Sequence, residues 1–223
     1  MSRLGRSAIA ARLARDIPEG WHVNLGIGIP ELVADHIGAR EVVFHSENGI
    51  LGMGPAAAEG EEDWTLINAG KKPITALKGA SFFNHAESFA IVRGGHLDLC
   101  VLGAYQVAAN GDIANCSRDA GDILPAIGGA MDLASGAQRI WVLMSHTEKS
   151  GAPRILERCR YPLTGAGVVS RIYTDLAVIK IGPQGPLVTD MVASESPESL
   201  QDKTGARLHF APKVATLEDI ADQ

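Results

Sequence analysis

Cysteine is scarce in this chain, and its spacing fits neither a disulfide framework nor a zinc site. Cys100, Cys116 and Cys159 are odd in number, show no C-x-x-C spacing and have no histidine cluster beside them. The seven histidines are scattered and include no H-E-x-x-H motif. We therefore predict no bound metal and expect a reducing compartment.

Long apolar runs and an excess of positive charge are also missing. No stretch of eighteen apolar residues is present, and the N-terminus lacks an apolar signal core, so we expect no membrane span and no signal peptide. A formal net charge of -6 argues against nucleic acid or an anionic membrane as the main partner. We expect a soluble, cytoplasmic protein whose partners are small molecules or another protein.

The length and apolar content predict one domain that spans residues 1–223. With 223 residues and 46% hydrophobic content, the chain can bury a sizeable core. Near the N-terminus, Ile9, Leu13 and Ile17 are spaced four apart, which predicts an amphipathic helix that ends at Pro18. The apolar run at Val23 follows directly, as in a helix that leads into a strand.

The pattern after this helix predicts an α/β fold. A strand over residues 22–25, a helix from Glu31 to Ile37 and a strand from Glu41 to Phe44 form a βαβ unit. Short helices are predicted near residues 84–90, 131–137 and 196–204. Further buried strands are predicted in the continuous apolar runs "PITAL", "FAIVRG", "LDLCVLGA", "RIWVLM" and "DLAVIKI". The expected fold is an open, mostly parallel or mixed sheet flanked by helices.

Two glycine segments resemble nucleotide-binding motifs but lack essential parts. In "VNLGIGIPE", Gly26 and Gly28 follow a strand, but Glu31 occupies the third glycine position and would repel a pyrophosphate. The segment "INAGKKP" has neither the upstream glycine nor the following Ser or Thr of a phosphate loop. No G-x-S-x-G elbow is present either, which argues against a serine hydrolase.

The segment "VVFHSENGILGMGP" places a carboxylate, Glu47, directly after a short strand. Asn48 and Gly49 are typical of a tight turn, so a turn is one interpretation of the segment. The other is that Glu47 is a reactive group at the end of a strand in an open α/β sheet. Several other glycine turns suggest backbone N–H groups gathered around this anionic centre.

Seven segments, taken in order, resemble the B subunit of family I 3-oxoacid CoA-transferases. The similarity extends from about residue 5 to residue 210, and the S-E-N-G segment is the family's hallmark. The matching segments are "VNLGIGIP", "HSENGILGMGP", "LINAGKKPITALKGASFF", "ESFAIVRGGHLDLCVLGAYQV", "GDIANC", "GGAMDL" and "YPLTGAGVVSRIYTDLAV".

The resemblance implies a fold, a nucleophile and a partner. The fold would be that of the CoA-transferase (NagB/RpiA-like) superfamily, with Glu47 as the nucleophile that carries the acyl group and then CoA. Asn24 would lie by this carboxylate, and the backbone of Gly129 and Ala130 would line an oxyanion hole. A separate A subunit, in an A2B2 assembly, would supply most of the CoA site. CoA would be substrate and covalent intermediate, with no permanently bound cofactor.

The resemblance also indicates which acid accepts CoA. At one position, however, this chain departs from the family pattern. Runs such as "GEEDWTLINAG" and "FFNHAESF" are most similar to members that transfer CoA from succinyl-CoA to 3-oxoadipate in aromatic degradation. Acetoacetate, another 3-oxo acid or acetate are alternative acceptors. Cys116 stands where the family usually has an aromatic residue after G-D-x-A-N. A thioester hydrolase and a non-enzymatic ligand-sensing module stay open as other classes.

Overall fold

The computed structural model describes residues 3–117 and 127–217. The α-helices are α1 (Arg6–Asp16), α2 (His85–Arg93), α3 (Ala130–Gly136) and α4 (Pro197–Asp202), and a 3₁₀ helix spans Ile29–His36. The first strands are β1 (His22–Leu25), β2 (Val43–Ser46), β3 (Ile50–Ala56), β4 (Ile74–Phe82), β5 (Leu99–Leu102), β6 (Gln106–Ala108) and β7 (Ile113–Ala114). The later strands are β8 (Ile140–Leu143), β9 (Ile155–Leu156), β10 (Val169–Tyr173), β11 (Ala177–Gly182), β12 (Gly185–Val192) and β13 (His209–Leu217).

Ten of these strands form one mixed sheet in the order β13-β12-β11-β10-β8-β5-β1-β2-β3-β4. Its centre, β10-β8-β5-β1-β2, is entirely parallel. Both flanks are antiparallel hairpins, except that β13 lies parallel to β12 at one edge. Because parallel strands point the same way, the loops after β1, β2, β5 and β8 meet at one edge of the sheet.

Strands β5 and β8, in the parallel part of the sheet, are apolar throughout because both of their faces are covered. Every residue of β5 and of β8 is buried, as expected for strands that helices flank. Helix α1 covers one face with the stripe predicted from the sequence, since Ile9, Leu13 and Ile17 are all at most 3% exposed. A second, three-stranded sheet, β7-β6-β9, was not predicted.

The α/β class with a mixed sheet and flanking helices is confirmed, but several elements differ from the predictions. The run "FAIVRG" was predicted as a strand and lies in α2, where Phe89 and Val92 are buried one turn apart. This helix begins with a capping box, in which Asn84 accepts from the Glu87 N–H and Glu87 accepts from the Asn84 N–H. The predicted helix from Glu31 is a 3₁₀ helix.

The strand predicted from "PITAL" is present as the start of β4, but it is not buried. Beyond Ile74, the residues of β4 are mostly exposed, and they are exposed on both faces of the strand, which lies at the edge of the sheet. The second strand runs two residues further than predicted, to Ser46, and so ends directly before Glu47.

Candidate active site

A cavity of about 400 Å³ opens at the edge where the parallel strands end. Its walls come from the segments that follow β1, β2, β5 and β8, together with the start of α3. The described residues that line it are Leu25, Gly26, Ile27, Ile29, Pro30, Glu47, Ala69, Leu102, Gly103, Ala104, Tyr105, Asn115, Cys116, Ile127, Gly128, Gly129, Ala130, Leu133, Leu143, Met144, Ser145 and Arg154.

Glu47 stands at the tip of the β2–β3 hairpin and faces this cavity. The turn is closed by the Gly49 N–H, which donates to the Ser46 carbonyl at 2.9 Å. Gly49 has φ +111°, and a Cβ there would lie 2.0 Å from the Phe83 carbonyl oxygen, so glycine is required. The Asn48 side chain donates to the Ile67 carbonyl and braces the turn. The S-E-N-G segment is therefore a tight turn that also positions the Glu47 carboxylate at the cavity.

The Glu47 carboxylate is half-buried, and this burial raises the pKa of the side chain above its ordinary value. An electrostatic interaction with nearby His85 lowers the pKa of Glu47 and partly offsets the effect of burial. The negative charge of Glu47 adds to burial in raising the pKa of the Cys100 thiol below it. Within the described residues no hydrogen bond to the Glu47 side chain is found. A partly desolvated carboxylate without such a partner is more reactive than one in bulk water.

Of the two predicted oxyanion residues, Gly129 lies against Glu47. A Cβ on Gly129 would come within 2.7 Å of Glu47 Oε2 and within 2.5 Å of Phe89 Cζ. Ala130 lines the same cavity, but its N–H donates to the Ile127 carbonyl at 3.1 Å. The geometry thus brings the Gly129 backbone to the carboxylate and leaves Ala130 engaged within its own turn.

Asn24 lies in a buried layer beneath the hairpin and is not among the described cavity-lining residues. Its amide nitrogen donates to the His45 carbonyl at 3.2 Å and lies 3.0 Å from His45 Nδ1. Cys100 Sγ donates to its amide oxygen, and His45 Nε2 lies 3.0 Å from Ser88 Oγ. Because an amide nitrogen only donates, His45 carries its proton on Nε2 and donates to Ser88. Asn24 therefore fixes the strand that carries Glu47.

Burial holds this histidine neutral. His45 is fully buried, and desolvation lowers the pKa of its imidazole to about 4. The partners come from β1, β2, β5 and α2, so one network ties the neighbouring strands and the helix together below the β2–β3 turn. No local sequence pattern indicates this network, because Asn24 and Ser88 meet His45 only through strand pairing and helix packing.

Glu31, which argues against a nucleotide fingerprint in the sequence, stabilises the loops beside the cavity. Its carboxylate accepts from the Gly28 N–H at 3.1 Å and from the Asn68 amide at 3.0 Å, and it pairs with Lys72 at 2.8 Å. A Cβ on Gly70 would overlap Glu31 Oε1. The carboxylate thus links the "GIGIP" loop to the "INAGKKP" loop and is not available to a ligand.

Cys116, the departure from the family pattern, lies on the cavity wall. Its Sγ donates to the Asn115 amide oxygen at 3.0 Å and lies 3.1 Å from Thr164 Oγ1. A thiol is smaller than an aromatic ring, so this wall leaves more room for a ligand. Arg154 and Ser145 also line the cavity and were not singled out in the sequence.

The described residues contain neither a metal-binding cluster nor a membrane span. Within residues 3–117 and 127–217, no group of three or more His, Cys, Asp or Glu side chains is placed to hold a metal ion. None of the helices in the described part of the chain is long and apolar enough to cross a membrane.

Comparison with known proteins identifies the class of protein to which this fold and this site belong. A sequence profile for Coenzyme A transferase matches residues 6–196. The chain is 53% identical to the B subunit of 3-oxoadipate CoA-transferase from Pseudomonas putida over 92% of its own length and 97% of that protein. It is 45% identical to the B subunit of succinyl-CoA:3-ketoacid coenzyme A transferase from Helicobacter pylori, over 90% and 97% of the two chains.

Solved structures share the fold at low sequence identity. An acyl-CoA transferase (YdiF) from Escherichia coli O157:H7 matches with a TM-score of 0.75 at 17% identity, over 96% of this chain and 43% of that one. Glutaconate coenzyme A-transferase from Acidaminococcus fermentans matches with a TM-score of 0.68 at 15% identity, over 99% and 93% of the chains. The chain belongs to the Coenzyme A transferase family, and the predicted resemblance to B subunits of 3-oxoacid CoA-transferases is confirmed.

Proposed function

We propose that this chain is the B subunit of a CoA-transferase that moves CoA from succinyl-CoA to 3-oxoadipate through a thioester on Glu47. The observation that carries the proposal is the half-buried Glu47 carboxylate, which faces a cavity of about 400 Å³ with the Gly129 backbone against it. The relatives at 53% identity are named for 3-oxoadipate, which supports this acceptor.

The first half-reaction loads CoA onto Glu47. A Glu47 carboxylate oxygen attacks the thioester carbonyl of succinyl-CoA, the carbon–sulfur bond breaks, and CoA thiolate leaves a mixed anhydride behind. The thiolate then attacks the glutamyl carbonyl of this anhydride and displaces succinate. Glu47 now holds CoA as a thioester, and no net proton or electron has been transferred.

The second half-reaction follows the steps of the first in reverse order, with the acceptor acid in place of succinate. The carboxylate of the 3-oxo acid attacks the glutamyl thioester and displaces CoA thiolate, which then attacks the acyl carbonyl of the new anhydride. The product is 3-oxoacyl-CoA, and Glu47 is regenerated as a carboxylate. Because the thioester energy is conserved, ATP is not needed, and the kinetics are ping-pong.

Each tetrahedral intermediate carries an oxyanion that needs hydrogen-bond donors. We assign this role to the backbone N–H of Gly129, where a preorganised donor contributes on the order of 3 kcal/mol. Ala130 would have to exchange its bond to the Ile127 carbonyl to act as the second donor. Asn24 is proposed to position the Glu47 turn through His45.

The assembly is part of the proposal. Because the relatives are named as B subunits, we propose that an A subunit completes the site, supplies most of the CoA contacts and forms an A2B2 heterotetramer with this chain. We further propose that residues 1–223 form one domain, that no cofactor is permanently bound, and that the complex is cytoplasmic.

A steady-state assay of the complex tests the reaction. With succinyl-CoA and 3-oxoadipate varied together, parallel lines in double-reciprocal plots and stoichiometric succinate release are expected. Free CoA released steadily without an acceptor would indicate a thioester hydrolase, and binding without turnover would indicate a ligand-sensing module. Faster transfer to acetoacetate than to 3-oxoadipate would favour the succinyl-CoA:3-ketoacid activity for which the Helicobacter pylori relative is named.

A further inference from the structure

We propose that Phe89 is a positioning residue for the nucleophile: the tip of its ring shields the Glu47 carboxylate from water and holds it against the Gly129 backbone. This inference rests on the proposed CoA transfer, because it adds a residue to the same site. Phe89 lies in α2, is 7% exposed and is not among the described residues that line the cavity. It therefore acts from behind the carboxylate and not through contact with the substrate.

The ring and the carboxylate meet beside Gly129. The position that a Cβ on Gly129 would occupy lies 2.5 Å from Phe89 Cζ, 2.8 Å from Phe89 Cε1 and 2.7 Å from Glu47 Oε2. Because Cζ and Oε2 are both so close to one point, they are at most about 5 Å apart, which is near the distance of a van der Waals contact. The tip of the Phe89 ring therefore lies beside a reacting oxygen.

Neighbours on its own helix hold the Phe89 ring in place. The His85 ring lies one turn before it, with the ring centroids 4.8 Å apart, and the Arg93 guanidinium lies one turn after it, 5.6 Å from the ring centroid. Arg93 also donates twice to the Asp132 carboxylate of α3, at 2.8 Å in each bond. Because α3 begins directly after Gly129, this ion pair fixes the ring relative to the Gly129 backbone.

The same helix is bonded to the β2–β3 turn and to the strand before it. Just before α2, the Phe83 N–H donates to the Gly49 carbonyl at 3.0 Å. Within α2, Ser88 Oγ accepts from His45 Nε2 at 3.0 Å. Helix α2 is thus linked to the segment that carries the nucleophile and to α3, and Phe89 lies between them.

An apolar ring at this place changes the reactivity of the carboxylate. A carboxylate in bulk water is a weak nucleophile, and removal of part of its water makes it more reactive. The Phe89 ring excludes water from one side of Oε2, while Glu47 still faces the cavity. Burial raises the pKa of the Glu47 carboxyl, as expected for a carboxyl group against an apolar ring.

The competing explanation is that Phe89 is only a core residue of α2. Loss of a core residue lowers stability and the amount of active complex, but it leaves the pKa of Glu47 unchanged. Loss of a shielding ring lets water reach the carboxylate and lowers this pKa towards the ordinary value of a glutamate. The pH profile of kcat/KM for succinyl-CoA separates the two explanations, because its acidic limb reports the ionisation of Glu47 in the free enzyme.

The other charged or titratable groups on the elements around this carboxylate stay in place in the test variants. They are His45 on β2, His85 and Arg93 on α2, Cys100 on β5, Asp132 on α3 and Arg154 on the cavity wall. His85 contacts the Phe89 ring and could move when the ring is removed. The measurement is therefore repeated in a His85→Ala background.

In Phe89→Ala we expect the acidic limb to lie at lower pH than in the wild type. The plateau of kcat/KM should fall by about 10- to 100-fold, as for a small misplacement of a reacting group. Phe89→Met replaces the ring with a long, adaptable apolar side chain, so its limb should stay near the wild-type position. The same downward shift is expected when Phe89→Ala is added to His85→Ala.

The matched control is Val92→Ala. Val92 is also buried in α2 but lies against Gly136 and not against Gly129. Its truncation weakens the packing of the same helix, and the acidic limb should stay where it is in the wild type.

A limb that does not move in Phe89→Ala, or that moves as far in Val92→Ala, overturns the inference, and so does a shift that disappears in the His85→Ala background. If Phe89→Ala does not copurify with the A subunit, Phe89→Leu takes its place, since leucine ends short of the Cζ position. An unmoved limb in that variant is equally decisive. A wild-type complex that transfers no CoA refutes the proposed function, whereas transfer with an unmoved limb refutes only the role of Phe89.

Discussion

Glu47 Oε2 lies so close to the α-carbon of Gly129 that a Cβ there would come within 2.7 Å of it. Gly129 has an ordinary negative φ of -82°, so glycine is needed at this position for space and not for backbone conformation. The contact joins the tip of the β2–β3 hairpin to the start of α3.

Gly129→Ala should therefore impair transfer without unfolding the protein. The new methyl group must displace the carboxylate or the Phe89 ring, and a small misplacement of a reacting group costs about a hundredfold. We expect kcat to fall by about this factor, measured with succinyl-CoA and 3-oxoadipate. Gly182→Ala, at an exposed position where a Cβ meets nothing within 4 Å, is the control. Normal turnover of Gly129→Ala would mean that the contact has no role.

Substitutions of Glu47 should show whether activity depends on the charge of the carboxylate alone or also on its position. Glu47→Asp keeps the charge but withdraws it by one methylene, and we expect activity to fall by about a hundredfold or more. Glu47→Ala should be inactive. Both should fold, because the turn is held by Asn48 and Gly49 and not by the carboxylate. Circular dichroism and copurification with the A subunit check folding, and turnover by the alanine variant would contradict the nucleophile assignment.

The pH dependence should reflect the burial of Glu47. Only the ionised carboxylate attacks, and burial raises its pKa while His85 opposes the rise. The acidic limb of kcat/KM for succinyl-CoA should lie above the usual range of an exposed glutamate. His85→Ala should move this limb to still higher pH, and His209→Ala, at an exposed position, should not. A limb that moves to lower pH in His85→Ala would contradict the electrostatic role of His85.

Two buried histidines, His45 below the turn and His146 after β8, predict a loss of stability in acid. Burial lowers the pKa of His45 and of His146 to about 4, whereas unfolded imidazoles have a pKa of 6.5. The unfolded chain therefore binds more protons than the native chain between these pH values, so stability falls as pH falls from 6.5 towards 4. Each histidine accounts for on the order of 2 kcal/mol between pH 6.5 and 5.

Replacing one of these histidines tests this explanation. Between pH 7 and pH 5, the free energy of unfolding of His45→Gln should fall less than that of the wild type. The difference should equal the contribution of one buried histidine. The exposed His209→Gln should behave as the wild type. Urea unfolding at the two pH values measures the difference, and equal losses in His45→Gln and wild type would show that the buried imidazole is not the source.

Sequence reasoning predicted those parts of the fold and site that depend on local pattern. The apolar stripe of α1 and the strand that ends at Leu25 follow from periodicity, whereas the strand before Glu47 was predicted to end at Phe44 and continues to Ser46. Glu47 was singled out because its whole turn is contiguous in the sequence. The prediction of a strand at "FAIVRG" was wrong, because a buried apolar run of this length is compatible with either a strand or a helix. The capping box that identifies the run as part of a helix lies upstream of it.

The parts that could not be predicted depend on strand order. Asn24 pairs with His45 across β1 and β2, and Arg154 reaches carbonyls fifty residues away after β5. Neither contact leaves a local signal, since neighbouring residues in a strand point to opposite faces and the pairing partner is unknown. The family resemblance implies that Asn24 lies by the carboxylate, and in the structure its amide bonds to His45 in the layer below the turn.

The proposed reaction depends on covalent attachment of CoA to Glu47, and the mass of this chain reveals whether that attachment occurs. The purified complex with its A subunit is incubated with succinyl-CoA without an acceptor, and the intact mass of this chain is recorded with peptide mapping. We expect a CoA-sized adduct on the peptide that contains Glu47, discharged by 3-oxoadipate and absent in Glu47→Ala. An unmodified peptide in a complex shown to contain both subunits would refute the covalent mechanism and leave the S-E-N-G segment as a turn alone.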